Sequence, residues 1–128
     1  MNQTNAPYEL TVDVRTEYLD EQSDPARDRY VFAYHITLSN TGQIGLMLLS
    51  RHWIISDGNG DTRVVRGEGV VGKQPRLQPG ESFKYSSGAM LETPVGAMEG
   101  SYSLLADDGE HFDSTIPAFT LAMPNVLQ

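Results

Sequence analysis

The sequence predicts an all-β fold, an antiparallel sandwich or barrel of seven or eight short strands. Three observations carry that prediction. Apolar and polar residues alternate at period 2 in runs of strand length, and turn-forming residues recur about every 8–12 positions. In addition, no window of about a dozen residues spaces its apolar positions as a helix does, with caps at its ends. A parallel α/β fold is excluded for want of crossover helices.

The strands follow in order. Tyr8–Tyr18 sets Tyr8, Leu10, Val12 and Val14 against Glu9, Thr11, Asp13 and Arg15. Asp20–Asp28, with Pro25, is the longest polar loop. In Arg29–Asn40, Tyr30, Phe32, Tyr34, Ile36 and Leu38 share one face, as a half-buried strand requires. Ile44–Ser56 is apolar on both faces and reads as a central strand or a bulged one. Asn40-Thr-Gly42 and Asp57-Gly-Asn-Gly60 close the runs before them. In the second, Asn59-Gly60 reads as a tight hairpin turn with positive φ angles. Gln78-Pro-Gly-Glu81 is a type I or II turn signal. Asp107-Asp-Gly-Glu110 joins strands expected at Ser101–Ala106 and His111–Ile116.

At 128 residues the chain has the length of one domain, 1–128, with loose ends expected at 1–7 and 124–128. There is no cysteine, which removes disulfides, thiolate metal sites and thiol nucleophiles. The net charge of −8 disfavours nucleic acid and anionic membranes as partners. No apolar run reaches the roughly 18–20 residues of a spanning helix, and the N-terminus lacks the pattern of a secretory signal, so a cytoplasmic location is expected.

Gly67-Glu-Gly-Val-Val-Gly72 fits G-x-G-x-x-G. That motif holds phosphate when a helix leaves it and offers free N–H groups to the anion. Here Pro75 and Pro79 follow, so the expected role of the glycines is to shape the backbone. The charge distribution supplies a competing reading. Residues 51–84 carry six cations against four anions, and Arg63, Arg66, Lys73 and Arg76 surround the glycines with a single Glu68. Gly67, Gly69, Gly72 and those four cations are therefore the candidate site for a nucleotide or pyrophosphate.

Metal and catalytic signals are weaker. Asp57–Glu68 imitates a calcium loop but has Thr62 where the sharp turn needs glycine. Asp107, Asp108 and His111 are weak candidates for a divalent ion in an exposed turn. His35, His52 and His111 form no metal-binding pair by spacing. No G-x-S-x-G elbow is present, so no catalytic set, and no cofactor, is expected. In Arg51-His52-Trp53, Trp53 reads as a core anchor, and Arg51 as a rim residue or part of a partner-binding surface shared with Arg66.

Leu48–Gly60, the string from Val65 to Glu81 with its G-x-G-V-V-G-x-x-P-x-L-x-P-G-E pattern, and Phe83–Gly88 together resemble the ApaG family of small bacterial proteins. Gly96–Tyr102 and Ile116–Leu121 extend the resemblance, which runs in order over about residues 8–124. It implies a fibronectin type III-like, immunoglobulin-like antiparallel β-sandwich of seven to eight strands. It also implies an interaction module without established catalytic residues, associated genetically with cobalt resistance and magnesium efflux. The expected function is thus non-enzymatic binding of an unidentified protein partner. Anionic-ligand binding and weak divalent-ion binding are the alternatives.

Overall fold

Alternation decides which face of each strand is buried, and the computed structural model, which describes residues 6–125, follows it closely. Eight strands form: β1 (Leu10–Tyr18), β2 (Tyr30–Asn40), β3 (Leu46–Asp57), β4 (Thr62–Glu68), β5 (Arg76–Leu77), β6 (Ser82–Leu91), β7 (Val95–Ala106) and β8 (His111–Ala122). All pair antiparallel. One sheet has the order β1-β2-β6, and the other β4-β3-β7-β8 with β5 beside β3. The expected antiparallel sandwich of seven to eight strands is the fold observed. Among the described residues no helix is long and apolar enough to cross a membrane.

The core lies between the two sheets. Phe32, Ile36 and Leu38 of β2 meet Leu48 and Trp53 of β3, Met98 and Tyr102 of β7, and Ile116 and Leu121 of β8. Trp53 is 1% exposed, and its ring stands edge-on to Tyr34, Tyr102 and Phe119 at centroid separations of 5.5, 6.3 and 5.8 Å. It is the anchor the sequence implied. Ile44–Ser56, apolar on both faces, yields a strand that is both central and bulged. β3 pairs on both sides, and its register with β7 shifts between Leu48 and Ser50. The extra residue keeps Leu46 and Leu48 inside along with Trp53 and Ile55, although strict alternation would turn one pair outward.

Two polar links hold the layers in register. Asn40 is buried, donating from Nδ2 to the carbonyls of Ile44 (2.9 Å) and Leu77 (2.8 Å) and accepting from Gly42 N–H (3.0 Å). The Tyr85 hydroxyl of β6 meets that of Tyr102 on β7 at 2.5 Å, a hydrogen bond across the sandwich.

Turn chemistry is as expected at Gln78–Glu81, which is type II, because Gly80 has φ 89° and Glu81 N–H bonds Gln78 C=O. The Asp57–Asp61 turn departs from expectation. Only Gly60 takes positive φ, at 86°, while Asn59 does not. Asp57 N–H donates to Asp61 C=O and Gly60 N–H to Asp57 C=O, which is a three-residue loop ending in a glycine bulge. Ala106–Glu110 repeats that pattern with Gly109 at φ 90°. The strands it joins extend well beyond Ser101–Ala106 and His111–Ile116, through β7 and β8. Of the expected loose ends, 1–5 and 126–128 lie outside the described residues, whereas the Pro7 carbonyl is tied to the N–H groups of Gln43 and Ile44.

Candidate functional site

The glycine-rich segment is the end of β4 and a corner that follows it. Arg51 and Trp53 are two apart on β3, so the Arg51 side chain starts out on the inner face. It leaves the core by crossing Gly67, its direct neighbour on β4. There its Nη1 donates to the carbonyls of Glu68 (3.1 Å) and Gly69 (2.9 Å). A Cβ at Gly67 would lie 2.6 Å from that nitrogen. Arg51 is thus engaged in holding the corner.

Gly69, at φ 60°, brings the chain against the Lys73 carbonyl, where any side chain would collide. Its N–H donates to Leu49 C=O at 2.7 Å. Val70 is fully buried beneath the corner. Val71 and Gly72, with φ 43° and 79°, then make a type I′ turn closed by reciprocal Val70–Lys73 hydrogen bonds of 2.8 and 2.9 Å. The elements after this turn are β5 and β6, not a helix.

The candidate cations disperse. Arg63 reaches across the sandwich seam to the Met90 carbonyl at 3.2 Å. Arg66 stands on the outer face of the five-stranded sheet opposite His52. Lys73 is exposed at the turn. Arg76 pairs with Asp107, donating from Nε at 3.1 Å and from Nη2 as well. Among the described cations, Arg51 donates to the corner's carbonyls and the Lys73 backbone closes its turn.

The metal candidates are also committed elsewhere. Asp107 serves Arg76, and Asp108 accepts from the Tyr8 hydroxyl and from Glu110 N–H (3.0 Å). The Tyr8 hydrogen bond, followed by that from Glu110, holds the Asp108 carboxyl below its ordinary range. The same bond is the main reason the Tyr8 hydroxyl is raised to about 12. His111 is exposed at the start of β8. In the calcium-like segment, Asp57 Oδ1 accepts from Asn59 and Asp61 N–H, while Glu68 lies at the other end of β4, roughly 20 Å away at strand rise. Among the described residues no three His, Cys, Asp or Glu side chains converge to hold a metal ion.

Two surfaces were not legible from spacing, because strand register creates them. On the outer face of the three-stranded sheet, Arg15, His35 and Ser86 align across β1, β2 and β6. His35 Nδ1 is 2.6 Å from Ser86 Oγ, and its Nε2 is 3.1 Å from Glu17 Oε1. The row is open to solvent, with the Glu17 side chain 60% exposed. On the outer face of the five-stranded sheet, Val64 of β4 pairs with Ile54 of β3, and Arg66 pairs with His52. Val64 is 55% exposed. Beside them His52, Ile54, Glu99, Ser101, Thr115 and Pro117 line a shallow depression of about 270 Å³.

Comparison with known proteins agrees with this architecture. The ApaG domain family model matches residues 20–106. Protein ApaG of Aromatoleum aromaticum is 58% identical over 120 residues, covering 94% of each chain. Protein ApaG of Dechloromonas aromatica is 54% identical over 127 residues, 99% of each. The crystal structure of the ApaA protein from Bordetella pertussis superposes with a TM-score of 0.93 at 49% identity, covering 95% of this chain and 99% of that one. By fold and by sequence over nearly its whole length, this chain belongs to the ApaG family.

Proposed function

We propose that the protein is a non-enzymatic interaction domain that docks a protein partner on the outer face of its five-stranded sheet, around Val64, Ile54, His52 and Arg66. Val64 carries the reading. It is a branched apolar side chain, more than half exposed, on a face that no other described element covers, beside an arginine with no ion pair to any described residue. An apolar centre with an adjacent arginine is the composition of a contact surface. The link of the family to cobalt and magnesium efflux then runs through the partner.

Neither alternative gathers comparable support. The glycine corner spends its Val70 and Lys73 amides on each other's carbonyls and its Gly69 amide on the Leu49 carbonyl of β3. The Ser86–His35–Glu17 row lies on a solvent-facing sheet, with the Glu17 side chain 60% exposed, a poor setting for an activated nucleophile. Co-purification from native extract tests the proposal. Val64→Asp and Arg66→Glu are expected to lose the partner that the native chain retains, with thermal melts nearly unaltered. Equal recovery by both variants contradicts the docking face.

A further inference from the structure

We infer that β4 takes up an acidic extended peptide segment as an additional strand on its open edge. This deepens the docking reading above and rests on it. Among the described residues β4 ends the five-stranded sheet and pairs only with β3. In an antiparallel ladder alternate residues turn their N–H and C=O groups to the partner strand, and those between turn them away. The phase is set at both ends, by Asp57 N–H on Asp61 C=O and by Gly69 N–H on Leu49 C=O. With register Ile55↔Arg63, Trp53↔Val65 and Arg51↔Gly67, the odd residues face β3. Thr62, Val64 and Arg66 therefore present both backbone groups to the open side, and Glu68 its N–H, since its carbonyl accepts from Arg51.

The other edges are less receptive. β8 carries Pro117 and a register shift opposite Glu99, both devices that discourage pairing. β1 alternates Asp13, Arg15 and Glu17 on its outer face and packs near β8. On β6, the Met90 carbonyl is taken by Arg63. All three large apolar side chains exposed among the described residues, Val64, Val71 and Met90, lie on β4, on the corner that continues it, or across the seam from it.

Charge selects the occupant. β4 has two arginines against one glutamate, with Lys73 close behind, on a chain of net charge −8. Neither Arg66 nor Lys73 has an ion pair with a described residue. An acidic strand satisfies them, whereas a second copy of β4 brings arginine toward arginine. Inward-facing residues of the added strand would meet Arg63, Met90 and a seam cavity of about 170 Å³ also lined by Asp57, Asp61 and Glu92, so the strand's apolar residues face in and its carboxylates face out, toward Arg66. The fitting segment alternates carboxylate and apolar residues.

The test uses a fluorescent synthetic peptide of alternating glutamate and valine, with a lysine–valine peptide as control, read by anisotropy against the full chain. The acidic peptide is expected to bind and the basic one not. Val64→Pro removes an edge-facing N–H without touching the β3 ladder and is expected to weaken binding at least tenfold. Arg66→Glu, which leaves the backbone alone, does the same. Amide exchange at Thr62, Val64, Arg66 and Glu68 slows on binding. Binding unchanged in both variants, no binding by the acidic peptide, or a dimer sealed through β4 overturns the inference. The two readings separate in the extract assay: a partner lost by Val64→Asp but kept by Val64→Pro leaves face docking standing and removes strand addition.

Discussion

Replacing Gly67 by alanine should destabilise the protein only while Arg51 is present. The backbone at Gly67 does not require positive φ, so alanine is conformationally permitted, and in an exposed strand it would by itself gain about 0.5–1 kcal/mol over glycine. The obstacle is the guanidinium, which lies 2.6–2.8 Å from the position the methyl group would occupy. To make room Arg51 must abandon the carbonyls of Glu68 and Gly69. Hydrogen bonds to a charged donor contribute about 1.5–3 kcal/mol each, and solvent at this corner reduces that to roughly 2 kcal/mol for the pair. Gly67→Ala should therefore cost about 1–1.5 kcal/mol and Arg51→Ala about 2, while in the Arg51→Ala background Gly67→Ala should be neutral or slightly stabilising. The resulting coupling of about 2 kcal/mol exceeds the roughly 0.5 kcal/mol scatter of independent sites. Urea unfolding of the four proteins reads it directly, since an m-value of about 1–2 kcal/mol/M converts it to a midpoint difference of about 1–2 M. Additive costs within about 0.5 kcal/mol would refute Arg51 as the support of the glycine corner.

Two further outcomes follow from the same geometry. Burial pushes the Tyr85 hydroxyl up to about 12 and raises Tyr102 well above its ordinary range, so both are held neutral in the folded state. The unfolded chain loses these protons near pH 10, and stability is therefore complete below about pH 10 and falls as pH rises toward 12. In alkaline unfolding curves the Tyr85→Phe, Tyr102→Phe double variant should fall less steeply than the native protein, and parallel curves would contradict the assignment. Val71→Gly should raise stability by up to about 1 kcal/mol in urea unfolding, because a β-branched residue at φ 43° costs about 1–2 kcal/mol and the side chain is 53% exposed. Destabilisation would mean that Val71 makes a contact worth more than its strain.

Strand placement was legible because burial has period 2 on β1 and β2, where a single face is covered. It was less legible on β3, where pairing on both sides and one bulge erase alternation. Gly80 declared its turn, since proline before glycine leaves little else, but Asn59-Gly60 did not, because the same dipeptide fits a two-residue turn and a three-residue loop with one residue between them. At the candidate site, prolines at 75 and 79 correctly foretold the missing helix. The dispersal of the cationic cluster was not legible, because nearness in sequence does not bring side chains together on a strand: Arg63 and Arg66 leave opposite faces, and Arg76 turns to Asp107. Arg51 shared a face with Trp53 as read, but only the register opposite Gly67 shows what its charge does. Nothing in the sequence says which residue of the Val64-Val65 pair faces solvent. The exposure of Val64 follows from β4 being an edge.

Titrating isotope-labelled protein with pyrophosphate, and following backbone amides residue by residue, meets the central claim head on. If the glycine corner is folded for its own chain, the amides of Gly67–Lys73 should move no more with millimolar pyrophosphate than with sodium chloride of equal ionic strength. A saturable shift confined to that corner would show that the loop receives an anion, and the account of this protein as a docking domain would have to give way.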